Sequence, residues 1–375
     1  MKIAVIAASI IPSTTANSIQ VMKTAHSLAE IGHNITLIIP GEKSIEWSGL
    51  ADWYGLTKPF EIIWLKENLR FHRYDFAFKS IRKAKDLQVD VIYTWMLQTA
   101  TLSVWNKIPT IIELHDRITG IFAPYLFRYF LKSKTQKRIL TNTEALRKAV
   151  EEAFDEKFPD TLCQIAPNGI ELERYKNLPD PVKARAELNL PKRVTVGYSG
   201  HFYEGRGIQV LLYLAKSFPD VNFLWVGGKE EAVQDWKKRL TENDVHNVVM
   251  TGFVPNTKIA LYQAACEILL MPYEYSIAGS SGGNSADICS PMKMFEYMAA
   301  GRAIISSDLS VLHEVLNESN AIFCEAENLV AWENALANLL GDSERQKNLG
   351  AQALNDAQAY SWTERVRRAL EGFHK

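Results

Sequence analysis

Cysteine is scarce in this chain of 375 residues, and the four present, Cys163, Cys266, Cys289 and Cys324, lie far apart. Such spacing excludes a secreted disulfide framework and supplies no paired metal ligands, so a reducing cytoplasm is the expected compartment. Neither sign of charge is in surplus: 42 Lys and Arg stand against 43 Asp and Glu. No overall field draws the chain to nucleic acid or to an anionic surface, and nucleic acid is not an expected partner. The first apolar run, Met1 to Ala8, is short and soon followed by Pro12, which reads as a buried first strand rather than a secretory signal or a spanning helix. A Gly-x-Gly-x-x-Gly turn is missing where each half of the chain begins, which weighs against a dinucleotide dehydrogenase. Asp-x-Asp and clustered His or Cys are missing too, so neither a metal nor another cofactor is expected.

What the chain does have is length and apolar content, 47% hydrophobic over 375 residues, enough for two cores. Short β-rich runs alternate with segments of helical period, the pattern of a parallel sheet covered by helices. Strands are predicted at 3–7, 35–39, 90–93, 110–112 and 138–140, and helices at 16–31, 76–87 and 144–154. On the first helix Val21, Met22, Ala25, Leu28 and Ala29 share one face, and Gly32 stands where it ends. Prolines 179, 181 and 191 interrupt the pattern and mark a linker. The grammar then restarts with strands at 194–198 and 222–226 and the Gly227-Gly228 turn. The expected fold is α/β, with Rossmann-like domains at 1–178 and 191–358 and a last segment, 359–375, whose helix is a candidate to dock back on the first domain. The low-complexity run Ser280-Ser281-Gly282-Gly283-Asn284-Ser285 is expected to be a mobile loop.

The stretch Ser290-Pro291-Met292-Lys293-Met294-Phe295-Glu296-Tyr297-Met298-Ala299-Ala300-Gly301 reads as a capped helix entered from a loop. Ser290 suits the N-cap and Pro291 the first helical position. The exposed amides of Met292 and Lys293, the positive end of the helix dipole and the Lys293 ammonium together make an anion site fit for a diphosphate. Glu296, one turn along the same face, is placed to accept hydrogen bonds from a ribose diol. An ordinary amphipathic helix with solvated Lys and Glu is the competing reading.

That stretch resembles the donor-site helix of the family 4 glycosyltransferases, which have the GT-B fold of two Rossmann-like domains facing across a cleft. Ile112-Glu113-Leu114-His115-Asp116, Pro167-Asn168-Gly169-Ile170, Gly197-Tyr198-Ser199-Gly200 and Gly252-Phe253-Val254-Pro255 extend the resemblance over most of the chain, in order and at family-like spacing. It implies that Arg206, before Gly207, grips the diphosphate, a task suited to a bidentate guanidinium. It implies that Gly200 and the backbone of Val254 approach the nucleotide, with Val254 receiving a uracil-like edge. His115 resembles the first-domain histidine that reaches the donor hexose beside the anomeric carbon, with Asp116 as its cap or orienting group.

The chain departs from the family pattern at three places. His201 stands where an arginine is usual. The turn Ser13-Thr14-Thr15-Ala16-Asn17-Ser18 replaces a glycine pair near the phosphates, its hydroxyls being candidates to stand in. Of two glutamates separated by seven residues, Glu296 matches the second while Ile288 holds the first place, with Asp287 or the backbone of 287–290 as candidate substitutes. The resemblance implies a retaining, metal-independent hexosyltransferase, catalysing through His115, Arg206 and Lys293. Uridine is the expected base and glucose the default hexose, with a carbohydrate or lipid-linked acceptor in envelope or exopolysaccharide assembly. A sugar-nucleotide epimerase of similar fold and a catalytically impaired sugar-nucleotide-binding protein are the alternatives. Between Phe127 and Arg138, Arg128, Lys132, Lys134, Lys137 and Arg138 interleave with Phe127, Tyr129, Phe130 and Leu131 without an acidic residue. Such a stretch suits peripheral contact with an anionic membrane at the inner face of the plasma membrane, or equally a helix with a solvated charged face.

Overall fold

A computed structural model describes residues 1–277 and 283–373. The chain forms two compact units, one of residues 1–168 with the segment from Trp362 onward, the other of residues 169–361. The first unit runs β1 (Lys2–Ile6), α1 (Ala16–Glu30), β2 (Asn34–Pro40), α2 (Trp47–Tyr54), β3 (Glu61–Leu65), α3 (Tyr74–Asp86), β4 (Val91–Thr94), α4 (Leu97–Trp105), β5 (Thr110–Leu114), α5 (Ala123–Lys132), β6 (Lys137–Thr141), α6 (Glu144–Phe154) and β7 (Cys163–Ile165). Its strands make a parallel sheet in the order β3-β2-β1-β4-β5-β6-β7. Buried on both faces, the central strands are continuous apolar runs, which is why sequence pattern found them. The edge strand β3 is only half-buried and gave no such signal.

The second unit contains α7 (Pro181–Glu187), β8 (Thr195–Ser199), α8 (Ile208–Ser217), β9 (Asn222–Val226), α9 (Glu230–Glu242), β10 (Val248–Gly252), α10 (Asn256–Ala264), β11 (Ile268–Met271), α11 (Met292–Ala299), β12 (Ala303–Ser307), β13 (Ile322–Cys324), α12 (Leu329–Leu340) and α13 (Ser343–Ala357). Its parallel sheet has the order β10-β9-β8-β11-β12-β13. Trp225, Trp332, Leu211, Leu336 and Ile305 are among the residues of its core.

Helix α14 (Trp362–Ala369) closes the chain. It lies in the first unit, where Val366, Ala369, Leu370 and Phe373 join Val21, Met22, Ala25 and Leu28 of α1 in one core. Helix α14 is thus part of the first unit. The linker expected at 178–191 is not a linker. Asp180 caps α7 through the Lys183 amide with Pro181 in the first turn, and Arg185 bonds the Ala265 carbonyl at 2.9 Å and Glu267 at 2.8 Å. Proline here starts a helix instead of ending a domain. Residues 169–178 also belong to the second unit, tied by Ile170 N–H to the Tyr360 carbonyl at 2.8 Å.

Residues 280–282 of the expected mobile loop lie outside the described residues. Asn284 does not behave as loop filler: its side chain accepts from Ile277 N–H and Ala286 N–H, both at 2.9 Å, and donates to the Tyr275 carbonyl. Among the described residues no helix is long and apolar enough to cross a membrane.

Candidate functional site

In the second sheet the connections from β8 run outward through β9 and β10, while those from β11 run the other way through β12 and β13. A ligand crevice is expected at the carboxyl ends of β8 and β11, where the winding reverses. The sequence-selected residues gather there: Gly200 follows β8, the 203–207 turn leads into α8, and α11 is the helix after β11.

Helix α11 begins at Met292, one residue later than expected. Pro291, with ψ of 129°, is the N-cap, so Ser290 is not. The cause is the extended backbone at Pro291. Its consequence is chemical, because a proline side chain offers no acceptor to first-turn amides, and the positive end of the dipole is left for a ligand. Lys293 folds back from this turn until its Nζ lies 3.9 Å above the Tyr198 ring and 5.4 Å from the Tyr273 ring. Arg206 covers the same Tyr273 ring at 4.9 Å and the Tyr203 ring at 4.8 Å, and donates to Tyr203 Oη at 2.7 Å. Each ammonium or guanidinium held over a ring gains about 0.5–2 kcal/mol, depending on its hydration. The three tyrosine faces thus bring the two basic groups together.

Two glycines make this packing possible. At Gly200, with φ of +146°, an added Cβ would lie 2.7 Å from Lys293 Nζ. At Gly207, with φ of +66°, it would run into the Pro272 carbonyl. The Gly205 and Gly207 amides both donate to Glu274, at 3.0 and 3.1 Å. Glu274 is a site residue that sequence reading missed; its signal, an acid just past a strand end, is common to many chains. It holds the turn that aims Arg206.

Electrostatics follow from the gathering of charge. Burial, and then the Arg206 guanidinium, hold the Lys293 ammonium well below its ordinary pKa, with Glu296 acting in the opposite sense. Burial raises the Glu296 carboxyl, which accepts from Gln263 Nε2 at 3.2 Å. Gln263 in turn accepts from Tyr175 Oη at 3.0 Å and donates to Ser199 Oγ at 3.1 Å. Burial lowers His201, and Arg206, Lys293 and Lys229 lower it further. Burial and the neighbouring cations thus favour the neutral form of the imidazole that stands in the place of the usual arginine.

Ile288, in the place of the first glutamate, is 1% exposed, so the position is filled by packing. Asp287 is exposed. Val254 is buried at the turn after β10, beside the exposed Phe253. In the first unit His115 follows β5 and donates through Nε2 to Glu113, while the Asp116 carboxylate accepts from Arg117 N–H at 2.8 Å. The hydroxyls of Ser13, Thr15 and Ser18 serve their own turn: Ser13 and Thr15 pair at 2.9 Å, Thr15 caps α1, and Ser18 donates to the Ser13 carbonyl at 2.8 Å. The basic stretch 127–138 divides. Phe127, Phe130 and Arg138 are buried, with Arg138 donating to the Ala369 and Glu371 carbonyls, whereas Arg128, Lys132 and Lys134 are exposed. Among the described residues no group of three or more His, Cys, Asp or Glu is placed to hold a metal ion.

Comparison with known proteins bears on the family and the fold. The family described as glycosyl transferases group 1 matches residues 193–342, and that described as glycosyltransferase family 4 matches residues 18–174. The alpha-galactosylglucosyldiacylglycerol synthase of Streptococcus pneumoniae is 24% identical over 67% of the chain, an alignment that covers 62% of that protein. The phosphatidyl-myo-inositol mannosyltransferase of Mycolicibacterium smegmatis is 23% identical over 92% of the chain and 86% of its own length. Among solved structures, HepE of Anabaena in complex with UDP matches with a TM-score of 0.73, 17% identity and 99% coverage of both chains. The fold is GT-B.

Proposed function

The chain belongs to the family 4 glycosyltransferases, and from that premise we propose that it moves a hexose from a UDP-sugar, with glucose the first hexose to try, to a lipid-borne acceptor. The observation that carries this reading is the pair of cations, Arg206 and Lys293, sharing the Tyr273 ring beside the proline-capped start of α11. Two basic side chains and the first-turn amides of α11 suit the negative charge that a nucleoside diphosphate carries and the further charge it gains on departure. In the reaction the bond from the anomeric carbon to the β-phosphate oxygen breaks. The acceptor hydroxyl oxygen bonds to that carbon from the same face, and its proton passes to a phosphate oxygen. The configuration is retained, and the protein's share is positioning and preorganised charge. Arg206 and Lys293 take the role a divalent ion plays elsewhere, Glu296 receives the ribose, Val254 the base, and His115 reaches the hexose.

A lipid acceptor is supported by exposed residues in and flanking α5. Ile121, Phe122 and Tyr125 are 80%, 68% and 69% exposed, next to the exposed Arg128, Lys132 and Lys134. Apolar side chains flanked by cations fit an anionic bilayer surface, at the inner face of a plasma membrane. The two relatives named above are, by their names, a diacylglycerol glycolipid synthase and a phosphatidylinositol mannosyltransferase.

The test is crystallographic and kinetic. UDP soaked into crystals should place its phosphates between Arg206 Nη, Lys293 Nζ and the Met292 and Lys293 amides, and turnover should survive a chelator. A diphosphate bound elsewhere, or activity lost to the chelator and restored by magnesium, sinks the proposal. For the acceptor, vesicles containing phosphatidylglycerol should sediment the protein at low salt, and a Phe122→Ser, Tyr125→Ser variant should stay in solution. Equal sedimentation of both would retire the α5 surface.

A further inference from the structure

Glu113, in β5, is 2% exposed and accepts four hydrogen-bond donors at once: Arg365 Nη1 at 3.1 Å, Arg365 Nη2 at 2.6 Å, Tyr93 Oη and His115 Nε2. Arg365 is equally enclosed, at 2% exposure. Its other contacts are the Pro167 carbonyl at 2.8 Å, the Ala166 carbonyl at 3.0 Å and Tyr93 Oη at 3.2 Å. The ion pair joins β5 to α14, and so to the far end of the chain. Docking of α14 does not require it, because Val366, Ala369, Leu370 and Phe373 already place that helix in the core. Two well-packed apolar side chains at such a place are often no less stable than a buried ion pair. The pair therefore calls for a purpose other than adhesion.

The purpose is visible in what the carboxylate does to His115. Burial works to protonate Glu113, but Arg365, and then His115, outweigh it and hold the carboxyl below its ordinary range. An ionised carboxylate can only accept. The shared proton therefore sits on His115 Nε2, so that in the neutral ring Nδ1 is the acceptor nitrogen, the logic by which a buried acid fixes a histidine tautomer in hydrolytic triads.

We propose that Glu113 and Arg365 are positioning residues that hold the His115 imidazole as its Nε2–H tautomer, with Nδ1 turned over to a hydroxyl of the donor hexose. The proposal rests on the reading of His115 as the residue that reaches the donor. It gives α14 a task in turnover as well as in folding, since the guanidinium that keeps Glu113 ionised is carried by that helix.

The first measurement needs no substrate. A long-range nitrogen-edited NMR spectrum of the histidine rings, with His115 identified by its absence in His115→Ala, should show the Nε2–H pattern in the wild type. In Glu113→Gln that pattern should become a mixture of tautomers. A Nδ1–H ring in the wild type, or an unchanged ring in the variant, overturns the proposal. The second measurement follows UDP release from UDP-glucose. Glu113→Gln should lower kcat about 10- to 100-fold, as loss of a supporting partner does at other sites, with KM for the donor within about 2-fold. His115→Ala should lower kcat further, and Glu113→Gln added to it should change nothing more. An effect of Glu113→Gln that persists undiminished without His115 would mark a merely structural residue.

Should charge imbalance unfold Glu113→Gln, the pair Glu113→Gln with Arg365→Met removes both charges and should show the same kinetic loss in a folded protein. Arg365→Lys, which keeps the charge but not the fork, should fall between it and the wild type. A His115→Ala protein with full turnover would sink the reading of His115 itself, and the kinetic role proposed here with it. The ring spectrum tells that failure apart, because it reports the tautomer whatever His115 does to sugar.

Discussion

At the scale of single residues the proposed donor site crowds cations that an anion would relieve. Lys293 loses proton affinity through burial and through Arg206, and a diphosphate bound as proposed would restore it. The sign follows: the complex holds the proton more tightly than the free protein, so UDP binding takes up protons in the pH range between the two pKa values, and affinity falls as pH rises through it. Calorimetry in two buffers of different ionisation enthalpy should register this uptake, and Lys293→Met should abolish it. Arg206→Ala should lower kcat roughly 100- to 1000-fold, the scale of removing one preorganised donor to developing charge, with thermal unfolding little changed. Gly200→Ala should mimic loss of Lys293, because its methyl would take the space of Nζ at an unfavourable φ; UDP affinity compared with that of Lys293→Ala checks it. The residue types at these positions were legible beforehand. The tyrosine rings that hold them and the Glu274 clamp were not, since aromatic residues and an acid near strand ends are ordinary core and turn material.

Among the elements, α14 shows most clearly how position overrides local pattern. Read by itself, Trp-Thr-Glu-Arg-Val-Arg-Arg-Ala is a polar helix, and Arg365 resembles Arg367 and Arg368 beside it. Only docking against α1 decides that Arg365 faces inward while its neighbours meet water. Leu370→Ala should cost roughly 2–5 kcal/mol, the range for truncating a buried leucine, and denaturant titration should show it. The Glu113 pair adds a pH signature. Its carboxyl is depressed in the folded state, so its contribution is fully present above the ordinary carboxylate range and is lost as pH falls through the lower, folded value. An acid titration of Glu113→Gln should show a shallower loss of stability on that limb. The α7 segment teaches the reverse lesson, because its prolines punctuate sequence in the same way whether they open a linker or a helix.

For the whole molecule, two cores and one donor site predict where a ligand will act. UDP at about 100 times its Kd stabilises the form that binds it by about 2.7 kcal/mol. Hydrogen exchange should then slow most in peptides spanning 198–207 and 287–297, and less in the first sheet. Uniform protection, or protection centred on β1 to β7, would contradict the placement of the site in the second unit. The sequence by itself determined the two doubly wound sheets and the helix proposed to bind the anion, because apolar runs, helical period and a short motif are local properties that each segment carries with it. Tertiary structure alone decided which cations share an aromatic ring, which proline starts a helix, and which arginine is buried beneath His115. The shared ring and the buried arginine depend on contacts between residues tens to hundreds of positions apart, and no window of sequence contains them.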